Sequence, residues 1–284
     1  MTFQAKAVIL DMDGTMLNHV NEVSENLKNY VKILRKQGRL VFIATGRTLK
    51  EVNDAVPADL KVDGMVCANG MVIYAEGEQI IKHMLDGGLV KELVEKARKA
   101  NIYYEVHSND SPGAALQEDK GYFEEQIEEP KPDTVKEDEW RSRQAALEQD
   151  VEWKARLPWD CAIKIYFFSR DKHQISRWKQ TLDQIKKQND FSTFSSSDHN
   201  VEVMEKNISK ATGMQYLLEK FSLSSQDVMM VGDSENDLPL MEIAGYAVAM
   251  KNAPSNVKEK VDEITAYSYK EDGLYRFLKE KFGE

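Results

Sequence analysis

Two cysteines in 284 residues, Cys67 and Cys161, stand far apart and outside any CxxC or Cys/His spacing. Their scarcity disfavours a disulfide framework and a zinc site. No run approaches the roughly 18 consecutive apolar residues that a membrane span needs. The opening MTFQAKAVIL has one lysine and a short apolar stretch, too little for the apolar core of a signal peptide. A reducing cytosol is the expected compartment, with no membrane partner. Basic charge is in deficit as well, 38 Lys and Arg against 48 Asp and Glu for a net of -10, so nucleic acid is not an expected partner. Internal repeats, low-complexity tracts, a Walker A loop and GxGxxG are all missing, which removes the usual nucleotide-binding fingerprints.

What is present is a regular alternation of short apolar runs with helix-like segments. Ala7 to Leu10 reads as a strand buried on both faces. Glu25 to Gln37 reads as a helix with Leu27, Tyr30, Val31 and Leu34 on one side and Gly38 as its stop. Leu40 to Ala44 and Met65 to Ala68 read as further strands, with a helix over Thr48 to Val56 between them. This order predicts an α/β fold with a doubly wound parallel sheet. Val72 to Met84 reads as a β-hairpin, and a second block follows with its own rhythm. That block has a helix from Leu89 to Lys99, strands at Ile102 to Val106 and Ala162 to Phe168, a helix from His173 to Lys187, and strands near Phe191 to Phe194 and Val201 to Met204. It is far too long for a loop and reads as an inserted α/β domain, with boundaries of 1–82 and 206–284 for the core and 83–205 for the insertion. The acidic stretch from Glu118 to Glu139 reads as a solvated loop or helix face. The core pattern resumes with a helix over Ala211 to Lys220, a strand at Val228 to Val231, a helix over Leu238 to Ile243, a strand at Tyr246 to Ala249 and a closing helix from Leu274 to Phe282.

In an open parallel sheet the ligand crevice lies outside the carboxyl ends of the strands. The residues at those ends are Asp11 and Asp13 of DMDGT, then Thr45, Gly46 and Arg47, then Asn69 and Gly70, then Asp233, Asn236 and Asp237. DMDGT alone could be an ordinary turn, since Asp and Gly are common turn residues. A shared location for all these residues is harder to obtain by accident. Asp11 and Asp233 offer oxygens suited to a hard cation, and Mg²⁺ commonly takes one or two carboxylates together with a substrate phosphate. Lys210, at an expected helix start, adds a point charge for an anion that carboxylates would repel. Thr45 and Gly46 add a hydroxyl and an amide.

DMDGT (Asp11 to Thr15), TGR (Thr45 to Arg47), Lys210 and GDSEND (Gly232 to Asp237) resemble, in order, the four motifs of the haloacid dehalogenase-like (HAD) phosphohydrolases. Asn69-Gly70 agrees with that pattern. The insertion between the second and third motifs is similar to the Cof-type subfamily with a type IIB cap. The resemblance implies a Mg²⁺-dependent phosphatase acting on a small phosphorylated metabolite, such as a sugar phosphate or a phosphorylated cofactor. It implies Asp11 as the nucleophile that forms an aspartyl phosphate, Asp13 as general acid and then base, and Lys210 and Thr45, with Gly46, Arg47 and Asn236, around the phosphoryl oxygens, the Arg47 position being one that in the family faces either the phosphate or the cap. The implied metal ligands are Asp11, Asp13 through its backbone carbonyl, and Asp233, with Asn69, Gly70 and Asp237 in support. Lys210 is followed by Ala211 where the family often has glycine, and Met12 and Met16 stand where leucine is common. None of these departures touches the chemistry.

The insertion is expected to select the leaving group. Its candidates for that task are Tyr103, Tyr104, His107, Arg141, Arg143, Trp153, Arg156, Trp159 and Lys164, although most aromatics in such a block build its core. The Trp140, Trp153 and Trp159 region reads as core rather than interface, and the oligomeric state stays open. Two alternatives accompany the phosphatase reading: a phosphomutase on the same scaffold, which needs basic insertion residues for a second phosphate, and a binding or regulatory protein with a degenerate site.

Overall fold

The computed structural model describes residues 3–283. They form two compact units, one from the chain up to Lys82 and from Ile208 onward, the other from His83–Asn207.

The first unit opens with β1 (Ala7–Leu10), α1 (Glu25–Lys36), β2 (Leu40–Ala44), α2 (Leu49–Ala55), β3 (Gly64–Cys67), β4 (Val72–Ala75) and β5 (Glu78–Lys82). Every residue of β1 is buried, because β1 lies mid-sheet with a parallel neighbour on each side. Parallel strands of this kind are covered on both faces, which is why they read as unbroken apolar runs. Ser24 caps α1 by accepting the Leu27 N–H, and Leu27, Tyr30, Val31 and Leu34 form its buried side. Thr48 and Glu51 make a reciprocal capping box at the start of α2.

The second unit contains α3 (Gly87–Lys99), β6 (Tyr103–His107), β7 (Ala114–Leu116), α4 (Lys120–Gln126), α5 (Glu137–Ala145), β8 (Glu152–Lys154), β9 (Lys164–Phe168), α6 (Lys172–Ile185), β10 (Phe191–Phe194) and β11 (Asn200–Glu205). Its sheet runs β10-β11-β9-β6-β7-β8 and is antiparallel except between β7 and β8. Leu89, Val90, Leu93 and Val94 of α3 and Ile175, Trp178 and Leu182 of α6 join Val106, Ile165, Phe167 and Val203 in one core.

The chain then returns to the first unit with α7 (Lys210–Lys220), β12 (Val228–Gly232), α8 (Leu238–Met241), β13 (Tyr246–Ala249), α9 (Ser255–Lys258), β14 (Glu263–Ile264) and α10 (Gly273–Phe282). The completed sheet has the order β14-β13-β12-β1-β2-β3-β4-β5, parallel from β14 to β3 and closed at one edge by the antiparallel β4–β5 hairpin. This is the doubly wound α/β sheet expected from the sequence. No helix among the described residues is long and apolar enough to cross a membrane.

The differences from the sequence reading have local causes. β3 ends at Cys67, not Ala68, because Ala68, Asn69 and Gly70 all take positive φ, which ends the extended run and turns the chain. β7 and β8 have three residues each, too few to show a period. The acidic stretch holds α4 and the start of α5, and it is not wholly solvated. Phe123 is buried, and Asp119 is buried between the Arg98 guanidinium and the Tyr104 hydroxyl.

Candidate active site

Asp11 follows β1 directly and stays in register with the sheet, its N–H donating to the Val231 carbonyl at 3.0 Å. From there the chain turns sharply through Met12–Met16, with Gly14 at φ +73°. A Cβ on Gly14 would lie 2.2 Å from the Asp233 carboxylate, so the turn can approach the end of β12 only with glycine there. β2 delivers Thr45, whose N–H donates to Val66 and whose carbonyl accepts from Asn69 N–H, tying the ends of β2 and β3 together. Gly70 at φ +107° completes that turn, and a Cβ there would meet the Ser209 carbonyl oxygen at 2.3 Å. This close approach sets the start of α7 against the end of β3.

Lys210 is the first residue of α7, capped by Ser209, and only 2% of its surface is exposed. Its Nζ donates to Asp11 Oδ1 at 2.6 Å, to Asp237 Oδ1 at 2.7 Å and to Asn236 Oδ1 at 3.4 Å. Three segments far apart in sequence therefore meet at one ammonium group and its partners. Burial works against the Lys210 charge, but the Asp11 and Asp237 carboxylates outweigh it and hold the lysine pKa above its usual value. The carboxylates remain in excess. Asp11, Asp233 and Asp237 each present an oxygen within 4.8 Å of the others. Burial first, and then the charge of Asp237, pushes Asp11 well above the ordinary carboxylate range. The same two causes push Asp233 up to about 7.

Asp237 is fully buried and already engaged through both oxygens. Oδ1 accepts from Lys210, and Oδ2 accepts from the N–H groups of Asp233 and Ser234 at 3.1 Å each and from the Ser234 hydroxyl. It holds the loop after β12. Asp233 differs: its Oδ1 is buried with no hydrogen-bond partner. An orphaned buried carboxylate oxygen, beside a second carboxylate and an excess of negative charge, fits a hard divalent cation with oxygen ligands.

The expected residues are placed as follows. Asp11, Asp233, Asn236, Asp237 and Lys210 come together, with Asn69 joined to Asn236 at 3.3 Å and Gly46 packed against the Asn69 side chain. Thr45 is fully buried, and its Oγ1 accepts the Arg47 N–H at 3.1 Å. The Asp13 side chain does not join the carboxylate group and instead pairs with Arg47 at 2.6 Å. Cys67 ends β3 nearby, but burial pushes its thiol up to about 12, which leaves it a poor nucleophile.

Among the candidates in the second unit, Tyr103 and Tyr104 are core residues. Arg143 and His107 are bound to Glu105, Lys164 is bound to Glu202, and Arg141 pairs with Glu137. Although burial opposes the Glu105 charge, Arg143 and His107 hold its carboxyl far below the usual range. Trp140 is buried, while Trp153 and Trp159 pack against the same core, and Arg156 is exposed.

One residue of the site was missed in the sequence. Asn252 Nδ2 donates to the Gly14 carbonyl and to Asp233 Oδ2, both at 3.0 Å, and its Oδ1 accepts from Tyr269 N–H. It lies three residues past the end of β13, and the strand-end rule applied to that strand would have pointed to it.

Known proteins are similar to this chain in sequence and fold. The family profile of the haloacid dehalogenase-like hydrolases matches residues 8–278. A Bacillus subtilis protein named 5-amino-6-(5-phospho-D-ribitylamino)uracil phosphatase YwtE is 28% identical, with 96% of each chain covered. The Bacillus subtilis phosphatase YwpJ is 27% identical over 92% of this chain and 94% of its own. Among solved structures, a haloacid dehalogenase-like hydrolase from Bacteroides thetaiotaomicron superposes with a TM-score of 0.79 at 22% identity, covering 98% of this chain and 100% of that one.

Proposed function

Since the chain belongs to the haloacid dehalogenase-like hydrolases of the Cof type and is a phosphoric monoester hydrolase, we propose that it is a Mg²⁺-dependent phosphatase of small metabolites working through an aspartyl phosphate. The observation that carries this reading is the contact of buried Asp11 with Lys210 at the carboxyl end of the central strand, beside the orphaned oxygen of Asp233. A carboxylate is a competent nucleophile toward phosphorus when a cation lowers its repulsion from the incoming anion. Lys210 does this while also facing the phosphoryl oxygens. Thr45, the Gly46 amide and Asn236 complete the phosphate cradle.

Asp13 gives a proton to the leaving oxygen and then takes one from the water that hydrolyses the aspartyl phosphate. Asp237 holds Lys210 and the Asp233 loop in place rather than touching the substrate. Asp11, Asp233 and the Asp13 carbonyl would hold Mg²⁺, which supplies charge neutralisation on the phosphoryl oxygens.

The substrate class we assign is a sugar phosphate or a phosphorylated cofactor precursor. The name of the YwtE relative puts a phosphoribityl compound within that class and makes it the first to assay. Selection of the leaving group is assigned to the inserted segment 83–205. A phosphomutase would need basic residues there to receive a second phosphate, and the pairing of Arg143 with Glu105 and Lys164 with Glu202 weighs toward hydrolysis. The test is hydrolysis of p-nitrophenyl phosphate and of a panel of phosphorylated metabolites with Mg²⁺. Asp11→Asn should abolish turnover on all of them, and full activity in that variant would refute the mechanism.

A further inference from the structure

Arg47 stands where the motif pattern puts a phosphate ligand, yet its guanidinium is turned onto Asp13. Nε donates to the two Asp13 oxygens at 3.2 and 3.0 Å and Nη2 donates to Oδ1 at 2.6 Å, a fork on a carboxylate. Nη2 also donates to Asn21 Oδ1, from a residue held at φ +63°. The backbone of Arg47 is itself pinned, its N–H to Thr45 Oγ1 at 3.1 Å and its carbonyl to the Ala68 N–H at 2.7 Å. One residue thus anchored to the ends of β2 and β3 grips a side chain from the loop after β1. That side chain is otherwise open, with 60% of its surface exposed, whereas Arg47 is 19% exposed. Arg47 is the one hydrogen-bond partner of the Asp13 carboxylate among the described residues. An exposed aspartate without such a partner would sample its rotamers, and a proton donor works only from within hydrogen-bond reach of the acceptor.

We infer that Arg47 is the positioning residue of the acid/base: its fork holds the Asp13 carboxyl in the orientation used for proton transfer, and it acts on the reaction through Asp13 rather than by gripping phosphate. The inference rests on the role given to Asp13 under Proposed function. In the step concerned, an Asp11 oxygen forms a bond to phosphorus, the ester P–O bond breaks, and the Asp13 proton goes to the departing oxygen. The carboxylate that remains is the form the fork binds, and it is left aimed for the water of the second step. A lysine at this position would keep the charge but lose the planar fork.

The experiment compares kcat/KM for p-nitrophenyl phosphate, whose leaving group departs as a stable anion, with kcat/KM for phenyl phosphate, whose leaving group gains from protonation. This ratio reports only the steps up to loss of the leaving group, so slow hydrolysis of the aspartyl phosphate does not mask it. Arg47→Gln should lower kcat/KM for phenyl phosphate about tenfold or more while changing that for p-nitrophenyl phosphate less than about twofold, within the range general acids supply. Arg47→Lys should fall between Arg47→Gln and wild type. Inhibition by inorganic phosphate should be unchanged in both. Asn21→Gly, which accepts the positive φ and removes the side chain with its acceptor oxygen, should show the same selectivity to a smaller degree and serves should the Arg47 variants fail to fold. Equal losses on both substrates with weaker phosphate inhibition would make Arg47 a phosphate ligand and overturn the inference, as would no loss on either. Asp13→Asn separates the two levels. If it shows the leaving-group-selective loss and the Arg47 and Asn21 variants do not, the inference alone fails; if Asp13→Asn shows none, the acid role of Asp13 fails and the inference falls with it.

Discussion

Asp233→Asn should inactivate the enzyme while making the metal-free protein more stable. In the absence of a cation, Asp233 is ionised against the charge of Asp237 and against burial, with Lys210 offsetting only part of the cost, and its pKa stands at about 7 instead of 3.8. The folded state therefore holds a proton more tightly than the unfolded chain does. Between about pH 4 and pH 7 the folded form carries the proton and the unfolded form loses it, so stability falls as pH rises through that window and stays low above it. At about 1.4 kcal/mol per unit, the shift corresponds to an upper bound of about 4 kcal/mol. Residual solvent and coupling to Asp11 reduce this, and about 2 kcal/mol is the working figure. Asparagine keeps an oxygen for Asn252 and can turn an N–H toward the neighbouring carboxylates, so the orphaned position gains a donor. The assay is thermal unfolding at pH 7.5, in EDTA and again in millimolar Mg²⁺. In EDTA the variant should melt about 4–8 °C above wild type, taking about 2–4 °C per kcal/mol for a unit of this size. At pH 4.5 the two should converge. Mg²⁺ should raise the wild-type melting temperature and leave the variant nearly unmoved. A variant that melts below wild type in EDTA, or gains as much from Mg²⁺, would refute the view of Asp233 as an electrostatic cost held for a metal.

Two further predictions follow from the same charges. Lys210→Met leaves Asp11 and Asp237 buried without their cation, and it should abolish phosphatase activity and cost about 3 kcal/mol at pH 7.5 in urea unfolding, less at lower pH, where the raised Asp11 carboxyl takes up a proton more readily. An unchanged stability would show that the ammonium is not compensating those carboxylates. Asn252→Ala removes the donor shared by Asp233 and Gly14, and a Mg²⁺ titration of activity should shift about 10–100-fold to higher concentration with kcat largely recovered at saturation. A lower kcat with the same Mg²⁺ dependence would refute a role in orienting the ligand.

Most of the parallel sheet was legible in the sequence, because a strand buried on both faces must be an unbroken apolar run, as Ala7–Leu10 and Val228–Val231 are. The short strands Ala114–Leu116 and Glu152–Lys154 were not, since three residues carry no period. The grouping of the candidate site residues was legible for a related reason. In a doubly wound sheet the crevice collects whatever follows each strand, so Asp11, Thr45, Asn69, Lys210 and Asp233 could be named from strand ends and motif order alone. Asn252 follows the same rule, but the Met250-Lys251-Asn252 stretch after its strand has no carboxylate and no glycine turn to mark it.

What the linear order could not carry is which of these groups touch. Asp13 and Arg47 were both expected around substrate and metal, and the fold pairs them with each other. Asp237, named only in support, has its Oδ1 on Lys210 and its Oδ2 on two backbone amides. Arg143 and Lys164, candidates for gripping a second anion, are held by Glu105 and Glu202. The types of residue and their place at the strand ends follow from hydrophobic periodicity, a short-range property that the sequence by itself determines. The partner of each charge depends on angles and distances between segments far apart in the chain, 199 residues for Lys210 and Asp11, and only the tertiary structure decides those.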